Sequence, residues 1–251
     1  GEPALPVIDL WPLVDPESSE DDVSSTCRRL VDAFHQFGFA YVKNHGVSER
    51  LVNQLEETAR RFFALPHETK MKISMKNSRV FRGFFPVGDE LTNKRPDMKE
   101  GLYFSSELDE SHPAVKAGTP MHGPNQWPAD EDCSELKPLV LEYMDVLTAL
   151  GHRILEGVAR GLGLSPAYFR EQYTSEPFIP FRIFHYPADP VGKHPDGEMR
   201  WGVGKHTDYG CLTILHQDTC GGLQVQDRRY TPTAGGPTER WIDTPPIPGT
   251  F

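Results

Sequence analysis

The sequence predicts a mainly β protein with helices (α+β), and three observations carry that expectation. Short apolar runs closed by Gly or Pro recur at both ends of the chain: residues 7–10 before Pro12, 39–42 after Gly38, 181–186 before Pro187, and Leu212, Ile214 and Leu215 ahead of Gly221-Gly222 and Leu223-Gln224-Val225. Between the two ends, apolar residues return at helical spacing, and the longest such stripe runs from Leu136 to Leu162. Within the C-terminal β-rich stretch, His206 and Asp208 stand two apart, so an extended backbone aims an imidazole and a carboxylate to one side.

The elements follow in order. Val7-Ile8-Asp9-Leu10 reads as a first strand. Val23, Cys27, Leu30, Val31 and Phe34 mark a helix that Gly38 stops, and residues 39–42 return as a strand. A second helix carries Leu51, Val52, Leu55, Ala59, Phe62 and Phe63 on one face and ends at Pro66, its aromatic stripe turned to the core. His45, between Asn44 and Gly46, reads as a turn histidine rather than a ligand. Lys70, Lys72 and Lys76 read as a solvated helix face, residues 82–85 and 97–104 as two strands, and 113–128 as a long loop. The stripe from Leu136 should brace the sheet, and Ser165-Pro166 should start a short helix with Ser as its cap. His185 and His194 should face solvent. Residues 227–240 form a longer connection than a hairpin needs, either an extra flap or a tolerated insertion.

A chain of 251 residues suffices for one large β-rich domain or two ordinary ones. Its 26 Lys and Arg against 36 Asp and Glu leave a net charge of −10, which argues against a nucleic-acid partner. Cys27, Cys133, Cys211 and Cys220 show no C-x-x-C spacing and are too few for a disulfide framework, so a reducing compartment is expected. With no apolar run long enough to span a membrane and no signal-peptide pattern, the expectation is a soluble, cytoplasmic protein without a membrane partner. Oligomeric state is left open.

An imidazole and a carboxylate without a thiolate nearby suit Fe(II), Mn or Zn, and they make two of the three ligands of a facial triad. An isolated H-x-D is a weak signal; its surroundings make it specific. Gly204-Lys205-His206-Thr207-Asp208-Tyr209-Gly210, Leu212 through Asp218, Gly221-Gly222-Leu223-Gln224-Val225 and Trp241 through Phe251 resemble consecutive blocks of the isopenicillin N synthase-like non-haem Fe(II) and 2-oxoglutarate dioxygenases. Pro6-Val7-Ile8-Asp9-Leu10, residues 38–47 and Phe62-Phe63-Ala64-Leu65-Pro66 resemble that family's N-terminal region.

The resemblance implies a double-stranded β-helix (jelly roll), C-terminally incomplete, with an N-terminal helical extension. It divides the chain into an N-terminal region (1–125), bracing helices (126–174) and an Fe(II)/2-oxoglutarate dioxygenase domain (175–251). It implies Fe(II) held by His206 and Asp208, 2-oxoglutarate as co-substrate with Tyr186 on its distal carboxylate, and a small-molecule substrate oxidised with O2. Phe84, Phe104 and Asn125-Gln126-Trp127 become substrate-contact candidates. The family's third ligand, a later histidine, and its Arg-x-Ser pair are not in this sequence. His216, ten residues from His206, is the in-chain alternative. Three readings therefore stand: a 2-oxoglutarate-dependent oxygenase, an Fe(II) oxidase that does not use 2-oxoglutarate, and a non-catalytic truncated module. Substrate identity is not legible.

Overall fold

The structure, a computed structural model, describes residues 4–188, 192, 197, 199–233 and 236–251. Among these, the strands are β1 (Val7–Asp9), β2 (Tyr41–Lys43), β3 (Gly83–Phe85), β4 (Leu91–Thr92), β5 (Arg95–Pro96), β6 (Glu100–Phe104), β7 (Phe181–His185), β8 (Gln224–Gln226) and β9 (Trp241–Asp243). The helices are α1 (Trp11–Val14), α2 (Glu20–Gln36), α3 (Glu49–Phe63), α4 (His67–Met71), α5 (Pro113–Lys116), α6 (Asp130–Cys133), α7 (Leu136–Gly161) and α8 (Tyr168–Gln172). They divide into two compact units, and α7 contributes to both, passing from one to the other after Met144.

The first unit comprises residues 1–49, 145–177 and 211–251. Here β1 runs parallel to β2, with Val7 opposite Tyr41, and β8 runs antiparallel to β9. Leu5, Tyr41, Val225 and Ile242 form its sheet core, joined by Val7 and Phe37. Phe251 is tied to β2, since its backbone and that of Val42 exchange hydrogen bonds of 3.0 and 3.1 Å. Ser19 caps α2 by accepting from the Asp22 amide at 3.2 Å, three acidic residues occupy the first turn, and Gly38 follows at φ +77° as the expected stop. α2 and α7 cross so closely that a Cβ on Gly161 would lie 2.5 Å from the Cys27 carbonyl oxygen. His45 is the turn histidine that the sequence suggests: its Nδ1 accepts from the Val47 amide at 3.1 Å, and burial lowers its pKa.

The second unit comprises residues 50–144 and 178–210. Its antiparallel sheet has the order β3-β6-β7, with Phe84 opposite Leu102 and Gly101 opposite Phe184. Gly101 is needed there, because a Cβ would sit 2.6 Å from the Phe85 ring and 2.7 Å from that of Phe184. Phe84 and Phe104, the substrate-contact candidates, lie on β3 and β6. Both rings are fully buried, Phe84 against Phe62 and His67, and Phe104 stacked on Trp127 at 4.8 Å. Covered on both faces, β3 and β6 read as core. Asn125 and Gln126 act as loop anchors instead: Asn125 bonds the Ser105 backbone in both directions, and Gln126 donates to the Ser74 and Arg82 carbonyls.

Three further expectations are corrected. Lys70 is buried rather than solvated, with its ammonium 2.7 Å from Glu100 and 2.9 Å from the Phe63 carbonyl, while Lys72 and Lys76 pair with Asp132 and Asp89. Residues 212–215 form no strand among the described residues. Leu212 and Ile214 do remain more covered than Cys211, Thr213 and Leu215, so the alternation reports the buried face but no pairing partner. The short helix begins at Tyr168, not at Pro166, and Ser165 caps only a turn, accepting from the Ala167 amide at 3.3 Å. His185 is half-exposed but bonds Glu100 at 2.8 Å, and His194 lies outside the described residues.

Candidate metal centre

His206 and Asp208 lie in the second unit on an irregular loop, both exposed. The loop is shaped by what it leans on. A Cβ on Gly202 would meet the Tyr186 ring at 2.5 Å, and one on Gly204 would meet the Thr92 methyl at 2.8 Å, so both glycines allow contacts that any side chain would block. Thr92 belongs to the tight hairpin β4–β5, whose central residues Asn93 and Lys94 both have positive φ, +52° and +66°.

The two candidate ligands converge. Nδ1 of His206 lies 2.8 Å from the Gly204 carbonyl oxygen, which can only accept, so Nδ1 carries the proton and the Nε2 lone pair is free. That Nε2 faces Asp208 Oδ1 at 3.2 Å. An imidazole lone pair opposite a carboxylate oxygen is repulsive unless a proton or a cation lies between them. Two donors at about 2.1 Å from one ion and at right angles to each other stand about 3.0 Å apart, so the pair fits adjacent positions on an octahedral ion. The Gly204 carbonyl is the backbone acceptor that commonly orients a metal-binding histidine. Among the described residues no group of three ligating side chains forms, so the in-chain alternative, His216, finds no support; its ring packs edge-on against that of Phe251.

Around the loop lies a polar cluster that sequence reasoning missed. Asp97, buried, accepts from the Gly204 amide at 3.3 Å, from the Thr92 hydroxyl at 2.9 Å and from the buried Lys99 ammonium at 2.7 Å. The Tyr103 hydroxyl donates to Glu90. Arg182 lies 4.3 Å over the Tyr103 ring and donates to the Tyr209 hydroxyl at 3.4 Å; among the described residues no carboxylate pairs with it. Tyr186 is half-exposed, and desolvation followed by the charges of Asp97 and Glu90 pushes its phenol up to about 12.

Comparison with known proteins shows the family. Residues 5–130 match the N-terminal family described as non-haem dioxygenase in morphine synthesis, and residues 179–251 match the 2OG-Fe(II) oxygenase superfamily. A probable iron/ascorbate oxidoreductase of Dictyostelium discoideum is 40% identical over 98% of this chain and 70% of its own length. The chain belongs to the 2OG-Fe(II) oxygenase superfamily. Among this oxygenase's other relatives is a homoarginine-6-hydroxylase of Arabidopsis thaliana, 37% identical over 99% of the chain and 73% of the relative. A full-length Neurospora crassa protein, solved in complex with alpha-KG and thymine, superposes with a TM-score of 0.77 at 28% identity, over 98% of this chain and 72% of that one. The fold is accordingly the jelly roll of the superfamily, and the enzyme is a non-haem iron dioxygenase that works with Fe(II), 2-oxoglutarate and O2 on a small molecule. Of the three readings open from the sequence, these relatives support the 2-oxoglutarate-dependent one.

Proposed function

We propose that His206 Nε2 and Asp208 Oδ1 hold the iron, and that the substrate is a small molecule bearing a carboxylate, read by Arg182. The observation that supports the first part is the approach of His206 Nε2 to Asp208 Oδ1 at 3.2 Å, close to the spacing of two adjacent ligands on one ion. The second part is supported by a guanidinium held between two tyrosines with no carboxylate of its own among the described residues. The names of relatives, homoarginine-6-hydroxylase and 1-aminocyclopropane-1-carboxylate oxidase, agree with an amino-acid-like substrate.

Iron with 2-oxoglutarate and O2, when bound, supplies the oxidation of a C–H bond, with electrons from decarboxylation of the co-substrate. The chain's own part is binding and orientation. The Gly204 carbonyl keeps a proton on Nδ1 of His206, so the neutral imidazole presents Nε2 to the metal. With its phenol pushed up to about 12, Tyr186 stays protonated at neutral pH and can donate a hydrogen bond to a carboxylate of 2-oxoglutarate. Arg182 fixes the substrate's acid group bidentately. In this reading residues 175–251 carry the chemistry, 126–174 brace it and 1–125 complete the scaffold. The net charge of −10 supports the absence of a nucleic-acid partner, and four cysteines that form no disulfide among the described residues support a cytoplasmic setting.

The test is 2-oxoglutarate turnover by the oxygenase with homoarginine, 1-aminocyclopropane-1-carboxylate, their methyl esters, and thymine. Acid-dependent turnover that Arg182→Gln weakens mainly in KM is expected. Equal turnover of acids and esters, or turnover of thymine alone, refutes the carboxylate reading.

A further inference from the structure

We propose that the β4–β5 hairpin, together with Asp97, is a positioning clamp for the His206 ligand. This rests on reading His206 and Asp208 as the metal pair, and it identifies what keeps that pair in register.

Three backbone groups ahead of His206 each have a partner. The Gly204 N–H is held by Asp97 Oδ1 at 3.3 Å, the Gly204 carbonyl by His206's own Nδ1 at 2.8 Å, and the Lys205 carbonyl by Asn93 Nδ2 at 3.1 Å. Asp97 is itself fixed, because its Oδ2 takes the Thr92 hydroxyl and the Lys99 ammonium, and Lys99 also reaches Glu90 at 3.2 Å. The Thr92 methyl occupies the space beside Gly204.

An exposed loop without helical or ladder hydrogen bonds depends on such side-chain partners to hold one shape. The chain of action runs from the Lys99–Asp97 pair to the Gly204 N–H, across the Gly204 Cα to its carbonyl, and from that carbonyl to the imidazole tautomer and direction. Asn93, in the left-handed conformation that Asn tolerates, directs its amide to the next carbonyl along. The clamp residues bond the backbone ahead of His206 rather than His206 Nε2 or Asp208, so they are positioning residues. Loss of such outer partners typically weakens metal binding about 10- to 100-fold.

The experiment is a calorimetric Co(II) titration of the full chain, with amide exchange followed over residues 202–208, for wild type, Asn93→Asp, Asp97→Asn and His206→Ala. Asn93→Asp is the main arm: Asp accepts the same backbone conformation at this exposed turn, so folding persists while the donor becomes an acceptor facing a carbonyl. At least about tenfold weaker Co(II) binding and faster exchange at an unchanged melting temperature are expected. Asp97→Asn keeps an acceptor for the Gly204 amide and should fall between Asn93→Asp and wild type. Wild-type Co(II) affinity and exchange in Asn93→Asp overturn the clamp while the metal pair stands. Wild-type affinity in His206→Ala overturns the metal pair itself, and the clamp with it.

Discussion

Asp227 offers the sharpest test of the packing in the first unit. Its side chain has 0% exposure, yet its cover is shallow, consisting largely of two guanidinium heads whose side chains are 37% and 44% exposed. Arg229 donates to it from its amide and Nε, both at 3.0 Å, and from Nη2 at 3.3 Å; Arg240 adds Nε at 3.0 Å and a short bond from Nη2. These bonds, led by those of Arg229, hold the carboxyl well below the usual carboxylate range despite its burial. In Asp227→Asn one amide oxygen still accepts, but an NH2 now faces the Arg240 head, donor to donor. Hydrogen bonds to charged groups contribute about 1.5–3 kcal/mol each when well desolvated, and exposure of the arginines screens these. A total loss of about 2 kcal/mol follows, lowering the melting temperature by roughly 4–8 °C for a chain of this size. The folded pKa lies below the unfolded value of about 3.9, so the contribution is complete above that value and is lost as pH falls toward the folded pKa. Urea unfolding of wild type and Asp227→Asn at pH 7, 4 and 2 should show a gap that is full at pH 7 and narrows steadily below about pH 4. No gap at pH 7, or the same gap at pH 2, refutes the reasoning.

Lys70→Met leaves the buried Glu100 carboxylate with the His185 ring as its remaining hydrogen-bond partner, and should cost about 3 kcal/mol in urea unfolding, most of it recovered in Lys70→Met/Glu100→Gln; an unaltered single variant contradicts the buried pair. Gly204→Ala puts a Cβ 2.8 Å from the Thr92 methyl, forcing a shift toward 1 Å in the loop that presents His206. Turnover of 2-oxoglutarate should fall about 100-fold with little change in melting temperature, and wild-type turnover contradicts the placement of the loop.

What the sequence made legible is what short-range pattern encodes. The stripe from Leu136 became α7 to within a residue, the run Val7-Ile8-Asp9-Leu10 became β1 over its first three residues, and the H-x-D brought His206 and Asp208 together. Long-range partners escaped it. Lys70 read as solvated because its carboxylate, Glu100, is thirty residues away. The β4–β5 hairpin turns on Asn93-Lys94, which lacks the Asn-Gly signal, and Asp97 looks like any surface acid until Gly204 folds onto it. The full burial of Phe84 and Phe104 was not legible, since an aromatic residue in a strand reads alike in core and cleft. The alternation at 212–215 reports burial, and a strand further requires a neighbour.

The metal pair itself is tested most directly by an anaerobic titration of the oxygenase with Fe(II) in the presence of 2-oxoglutarate, followed by the visible charge-transfer absorption of the chelated iron, in wild type, His206→Ala and Asp208→Ala. The band should appear in wild type and vanish in both variants. A band of undiminished intensity in either variant contradicts the assignment of His206 and Asp208 as the iron ligands.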